Sequence, residues 1–145
     1  MLSLQETELE YNCECGSNTS GQRSTFLTLP RFFVLHLRRF TFTQLLEVVK
    51  LHIPVLLYRE LIVPSSQAEG WYSLLSVISH LGISTSSGHY ISSGLHPHDD
   101  QDSSGDHWLT YNDAMVTEST GEAICNTLQE SSYILFYQRQ LVKEN

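Results

Sequence analysis

With 145 residues, 41% of them hydrophobic and 17% charged, the chain has material for one compact domain and is not composed like a disordered segment. Its net charge of −8 is lopsided: residues 1–60 carry six Lys/Arg against six Asp/Glu, residues 61–145 two against ten. Nucleic acid is thereby excluded as the expected partner, because binding it rests on Lys/Arg at phosphates; a basic protein or peptide, or simple solubility, fits better.

Taken in chain order, the first stretch, Ser3 to Gln22, is polar and reads as a connector with a turn at "CGSNTSGQ". "MLSLQETELE" lacks the basic-then-apolar order of a secretory signal. No apolar run approaches the ~20 residues of a membrane helix. The expectation is no membrane association and a cytoplasmic and/or nuclear address. The nearly continuous apolar run Phe32 to Leu37, with Pro30 just before it, predicts a buried strand. Arg38 and Arg39 follow it, placed to snorkel to solvent or to pair with acids. "LEVVKLHIPV" is a shorter strand candidate, broken by Pro54. Tyr72 to Leu81 reads as the central strand. "HYISSG" and "HWLTYND" read as a pair joined by the polar loop "LHPHDDQDSSGD". "STGEAICNTLQE" predicts a short helix capped by Ser119 or Thr120, with Cys125 on its buried face. "SYILFYQRQ" predicts a strong final strand. Roughly six strands to one helix make the class α+β, mainly antiparallel sheet with a short helix. One short helix covers little of such a sheet, so the chain reads as part of a larger packed unit.

Few residues here are equipped for chemistry. His89, in "SSGHYIS", is followed 23 residues later by Asn112, across the expected strand pair. A carboxamide or carboxylate beside a histidine fixes its tautomer and ring orientation, which Asn112 or Asp113 would do for His89. Spacing alone is weak support, and an isolated histidine is more often structural. No Gly-x-Ser-x-Gly elbow is present, and Cys125 reads as an inert core thiol. Cys13 and Cys15 form Cys-x-Cys, one residue short of the common zinc spacing and without a second pair. Three cysteines and no secretory signal argue against a disulfide framework. The loop histidines and aspartates, His96 to His107, follow no regular ligand spacing and read as a solvated loop.

Four motifs acquire meaning from their order. "LPRFFVLHLRRF" (Leu29 to Phe40), "YSLLSVISHLGISTSSGHYIS" (Tyr72 to Ser92), "WLTYND" (Trp108 to Asp113) and "SYILFYQR" (Ser132 to Arg139) together resemble the C-terminal part of the ubiquitin-specific protease catalytic domain, a papain-like cysteine deubiquitinase. The resemblance spans about Glu10 to Arg139. It implies that residues 1–139 are a partial catalytic domain, built as the palm and part of the fingers, with 140–145 a tail. It implies His89 as general base, Asn112 as the third triad member and Asp113 as a supporting polar residue. It implies "GISTSSG" as a blocking loop before the base, and ubiquitin and ubiquitinated proteins as partners. Cys13 and Cys15 match half of the family's zinc ribbon, so no cofactor is expected here, a structural zinc belonging only to a longer chain. The family's nucleophilic-cysteine motif has no match in this sequence. The chain alone is therefore expected to be inactive, either as the base-bearing part of a deubiquitinase or as a non-catalytic module that binds ubiquitin or another partner.

Overall fold

The computed structural model describes residues 6–10, 14–16, 19–84, 87–96 and 106–141. Its centre is β7 (Gly70–Leu81), the longest strand, as the apolar and β-branched run predicted. One edge of β7 pairs with β11 (Ser132–Arg139). The other edge is shared: β6 (Glu60–Val63) takes the first residues, Gly70 to Ser73, and β8 (His89–Leu95) takes Ser76 to Leu81. Outward from β8 come β9 (Trp108–Asn112) and β10 (Met115–Ser119); beyond β11 lies β3 (Phe32–His36). All pairings in this seven-stranded sheet are antiparallel. The α+β class and the short helix hold.

The core fills the middle of the sheet. Val63, Tyr72, Val77, Trp108 and Tyr137 are almost fully buried, and α1 (Gly121–Thr127) adds Ile124 and Cys125. The buried tyrosine hydroxyls find acceptors: Tyr72 donates to the Pro30 carbonyl at 2.6 Å and Tyr137 to the Tyr58 carbonyl at 2.7 Å. Thr120 caps the helix, its hydroxyl accepting from the Ala123 amide at 3.2 Å. Gly121 is pressed close, because a Cβ there would lie 2.8 Å from both Asp106 Oδ1 and Trp108 Nε1. The Asp106 carboxylate also accepts from Arg59 at 2.7 Å, tying the helix start to the chain before β6.

Several expectations change. The polar connector is instead a hairpin of β1 (Glu6–Glu10) and β2 (Thr19–Arg23), which pairs without the apolar alternation that would reveal it in sequence. β6 and β10 are strands beyond those predicted. The run Phe32 to Leu37 is not a buried strand. β3 is an edge strand whose exposure alternates, leaving Phe32 and Val34 open on one face. Continuous hydrophobicity predicts two covered faces, but one is covered. The "LEVVKLHIPV" strand shrinks to β5 (Val48–Lys50), which pairs with β4 (Phe40–Phe42) as a separate ribbon. At its tip Leu45 and Leu46 are 81% and 80% exposed, and Leu46 adopts a positive φ of 61°.

The arginine pair also divides. Arg38 is exposed, but Arg39 does not snorkel, and among the described residues no carboxylate pairs with it. It is buried and donates to the carbonyls of Ser132 (2.5 Å), Gln129 (2.5 Å) and Ile53 (2.6 Å), and to Ser132 Oγ (3.1 Å). The planar fork suits this convergence of acceptors. Burial lowers its pKa, Glu130 opposing.

Candidate active site

His89 opens β8 directly opposite Leu81, the last residue of β7. Asn112 closes β9. The β8–β9 register pairs Ser92 with Tyr111, so one step further Asn112 stands opposite Ile91. His89 and Ile91 share a face, and the imidazole reaches Asn112 along the diagonal. His89 Nε2 lies 2.6 Å from Asn112 Oδ1. A carboxamide oxygen only accepts, so Nε2 carries the proton, and in the neutral ring Nδ1 is the nitrogen with the free lone pair. The amide thereby selects the tautomer whose other nitrogen is a base.

Asp113 follows at the tip of the β9–β10 hairpin. Met115 pairs with Asn112, so the turn holds two residues, and Asp113 takes a positive φ of 52°. Aspartate tolerates this region better than most residues. Its Oδ2 is 3.8 Å from His89 Nε2. The side chains are 43% exposed at His89 and 84% at Asp113, so water screens this contact, while the amide bond gives the ring its direction. The three residues singled out in the sequence thus come together. Of "GISTSSG", residues 82–84 and 87–88 are described; Thr85 and Ser86 lie outside the described residues.

The thiols are elsewhere. Cys125 is sealed in the core, and burial pushes its thiol pKa up, with Arg59 opposing and Asp106 adding. Cys15 is exposed between β1 and β2, and Cys13 lies outside the described residues. A tetrahedral zinc site takes four N/S ligands, and this segment of the sequence offers two cysteines. The residues present do not complete such a site, and no step below runs through a metal. Among the described residues no three His, Cys, Asp or Glu gather as metal ligands; of the 96–107 loop, residues 97–105 lie outside them.

Two residues near the site carry no chemical motif in the sequence. Lys50 lay in a strand candidate without a chemical motif. His80 read only as part of the central strand, although its place before the glycine of "HLG" was a signal that the chain turns there.

Comparison with known proteins decides the family. Residues 2–137 match the family described as ubiquitin carboxyl-terminal hydrolase. The chain belongs to that family. Ubiquitin carboxyl-terminal hydrolase 12 of Salmo salar is 32% identical over 149 residues, covering 91% of this chain and 38% of that protein. Ubiquitin carboxyl-terminal hydrolase 37 of Homo sapiens is 41% identical over 69 residues, 48% of this chain and 6% of its own length. Among solved structures, the yeast SAGA DUBm aligns with a TM-score of 0.76 at 28% identity, covering 97% of this chain and 31% of its own. A SAGA DUB module bound to monoubiquitin aligns with a TM-score of 0.75 at 28% identity and the same coverage. The chain therefore spans well under half the length of these relatives. Membership of this hydrolase family and the mostly antiparallel fold of its catalytic domain agree with what the four motifs implied. No described helix is long and apolar enough to cross a membrane.

Proposed function

We propose that this chain supplies the base-bearing part of a cysteine deubiquitinase that hydrolyses the isopeptide bond after the C-terminal glycine of ubiquitin. The observation that carries the reading is the 2.6 Å contact from His89 Nε2 to Asn112 Oδ1, half-open to solvent at the sheet's end. That contact leaves Nδ1 as an oriented base. His89 takes the proton of a cysteine thiol, and the thiolate attacks the glycine carbonyl carbon. The imidazolium returns the proton to the departing lysine amine as the C–N bond breaks, leaving a thioester on the cysteine. His89 then deprotonates the attacking water; the thioester opens and ubiquitin leaves with a free carboxylate. Asn112 holds the ring through both half-reactions, and the Asp113 carboxylate favours the transient cation.

The thiol comes from outside these 145 residues. Cys125 is sealed in the core, and Cys13 and Cys15 belong to the segment joining β1 and β2, with its incomplete zinc half-site. The chain alone is accordingly inactive. Ubiquitin and ubiquitinated proteins are its partners in this reading, with no nucleic acid and no membrane. Support comes from the family match and from the monoubiquitin-bound structural relative.

The test measures turnover of a fluorogenic ubiquitin conjugate by the 145-residue chain and by the longest endogenous protein that contains it. Turnover by the long form only is the expected outcome. Saturable ubiquitin binding without turnover by either form would replace the enzyme with a binding module.

A further inference from the structure

Lys50 is the last residue of β5, only 7% exposed, with an ammonium group that has no part in the chemistry above. It donates to the His80 carbonyl at 2.9 Å and to the Gly82 carbonyl at 2.6 Å. A buried ammonium is expensive to desolvate, and burial, then Arg39, lowers its pKa. Such a charge is placed where its donors have work. Its two acceptors sit at the end of β7 and in the bend after it, where Gly82 takes a φ of +138° that favours glycine. These are the residues where the chain leaves β7 on its way to His89.

A second contact holds the far end of the same connection. The His80 ring lies against the Gly88 backbone. A methyl group on Gly88 would stand 2.0 Å from His80 Nε2, 2.6 Å from Cε1 and 2.7 Å from the Leu81 carbonyl oxygen. Only glycine fits there. Tyr90 is paired directly with His80 across β7 and β8, and their rings lie 4.7 Å apart at 38°. Gly88 and Tyr90 share one face of the chain, and His89, between them, projects to the other. The imidazole of His80 therefore backs the residues on both sides of His89.

We infer that Lys50 and His80 are positioning residues for His89: Lys50 fixes where the chain leaves β7, His80 fixes where it joins β8, and together they set the His89–Asn112 contact. The small β4–β5 ribbon is thereby part of the site's support, through Lys50, which reaches the start of the β7–β8 connection. The inference rests on the base role proposed for His89, so its test carries one readout that needs no turnover.

The experiment uses the longest protein containing this chain. Lys50→Met keeps the length of the side chain and removes the donors; Lys50→Arg keeps donors for both carbonyls. Steady-state kinetics on the fluorogenic ubiquitin conjugate are read beside the NMR chemical shifts of the His89 ring. Lys50→Met is expected to lower kcat by about 10- to 100-fold with KM within about twofold, the scale of a misplaced catalytic group. It is also expected to move the His89 ring signals, and Lys50→Arg to restore most of both. A folded Lys50→Met protein with wild-type His89 signals overturns the inference. So does a loss of kcat that Lys50→Arg leaves unrepaired. Should Lys50→Met not fold, His80→Phe and His80→Ala carry the test. The first keeps a ring against Gly88 and Tyr90 and is expected to keep His89 signals and kcat; the second is expected to disturb both. Equal His89 signals in the two overturn the inference. If the wild-type protein turns over no ubiquitin conjugate, the deubiquitinase reading fails by itself, and the His89 signals alone decide the positioning role.

Discussion

The two ends of β7 treat reactive side chains in opposite ways. Toward β6 and α1, the sheet seals Cys125 in with Trp108 and Tyr137 and pushes its thiol pKa up. Toward the end of β8, it leaves His89 half-open and spends a side-chain hydrogen bond on orienting it. One region buries a group that resembles a nucleophile and disarms it. The other presents a group that is useful only beside a nucleophile. Chemical identity alone would nominate both residues; environment separates them.

The strongest way to break this contrast is to remove the base. In the longest protein containing this chain, for which ubiquitin-conjugate turnover is the proposed activity, His89→Ala is expected to lower kcat by about 10³-fold, within the range general acid–base groups supply. Near-wild-type turnover would remove His89 from the chemistry. Asn112→Ala leaves the ring present but unoriented, and a loss of about 10- to 100-fold is expected. A loss as deep as that of His89→Ala would mean that Asn112 does more than orient.

Stability probes sharpen the sealed side of the comparison. Arg39 gathers three carbonyls and a hydroxyl from two distant segments. Arg39→Met leaves those acceptors buried and unpaired, and should cost about 3 kcal/mol by urea denaturation. A cost under about 1 kcal/mol would show that water replaces the guanidinium there.

His80 gives the comparison a pH dependence. Burial, and then the neighbouring Lys50, lowers its pKa below the ordinary histidine value. The unfolded chain therefore takes up the proton first as pH falls. Stability is complete above the unfolded value, about 6.5, and falls by up to ~1.4 kcal/mol per pH unit until the lowered folded value is passed. His80→Phe should flatten that part of the stability profile between pH 7.5 and 5. An unchanged slope would assign it to other groups.

Legibility followed the kind of signal each element carries. β7, β8, β9 and β11 were readable because apolar and β-branched runs are bounded there by turn residues. β1 and β2 were not, because "ETELE" and "TSGQR" pair through the backbone with no apolar period. β3 was seen but misplaced: local hydrophobicity reports a preference for burial, while the number of covered faces depends on neighbours far along the chain. His89, Asn112 and Asp113 came as candidates from residue type, spacing and family resemblance, and the β8–β9 register brings them together. Lys50 was invisible for the reason β3 was misread. Its partners, the carbonyls of His80 and Gly82, are about thirty residues away and belong to the backbone, which has no sequence signature.

The smallest expected effect is also the cleanest separator of the two regions. Cys125→Ser should leave ubiquitin turnover unchanged within about twofold. It should nonetheless cost about 1–2 kcal/mol of stability, since a buried hydroxyl replaces a thiol among apolar neighbours. Alkylation follows the same logic. In the folded protein Cys125 is expected to resist iodoacetamide at neutral pH, because neither access nor thiolate is available, and to react once urea opens the core. If Cys125→Ser abolished turnover in a protein that still unfolds at its wild-type midpoint, the sealed region would be the reactive one. The His89–Asn112 pair would then need a different purpose.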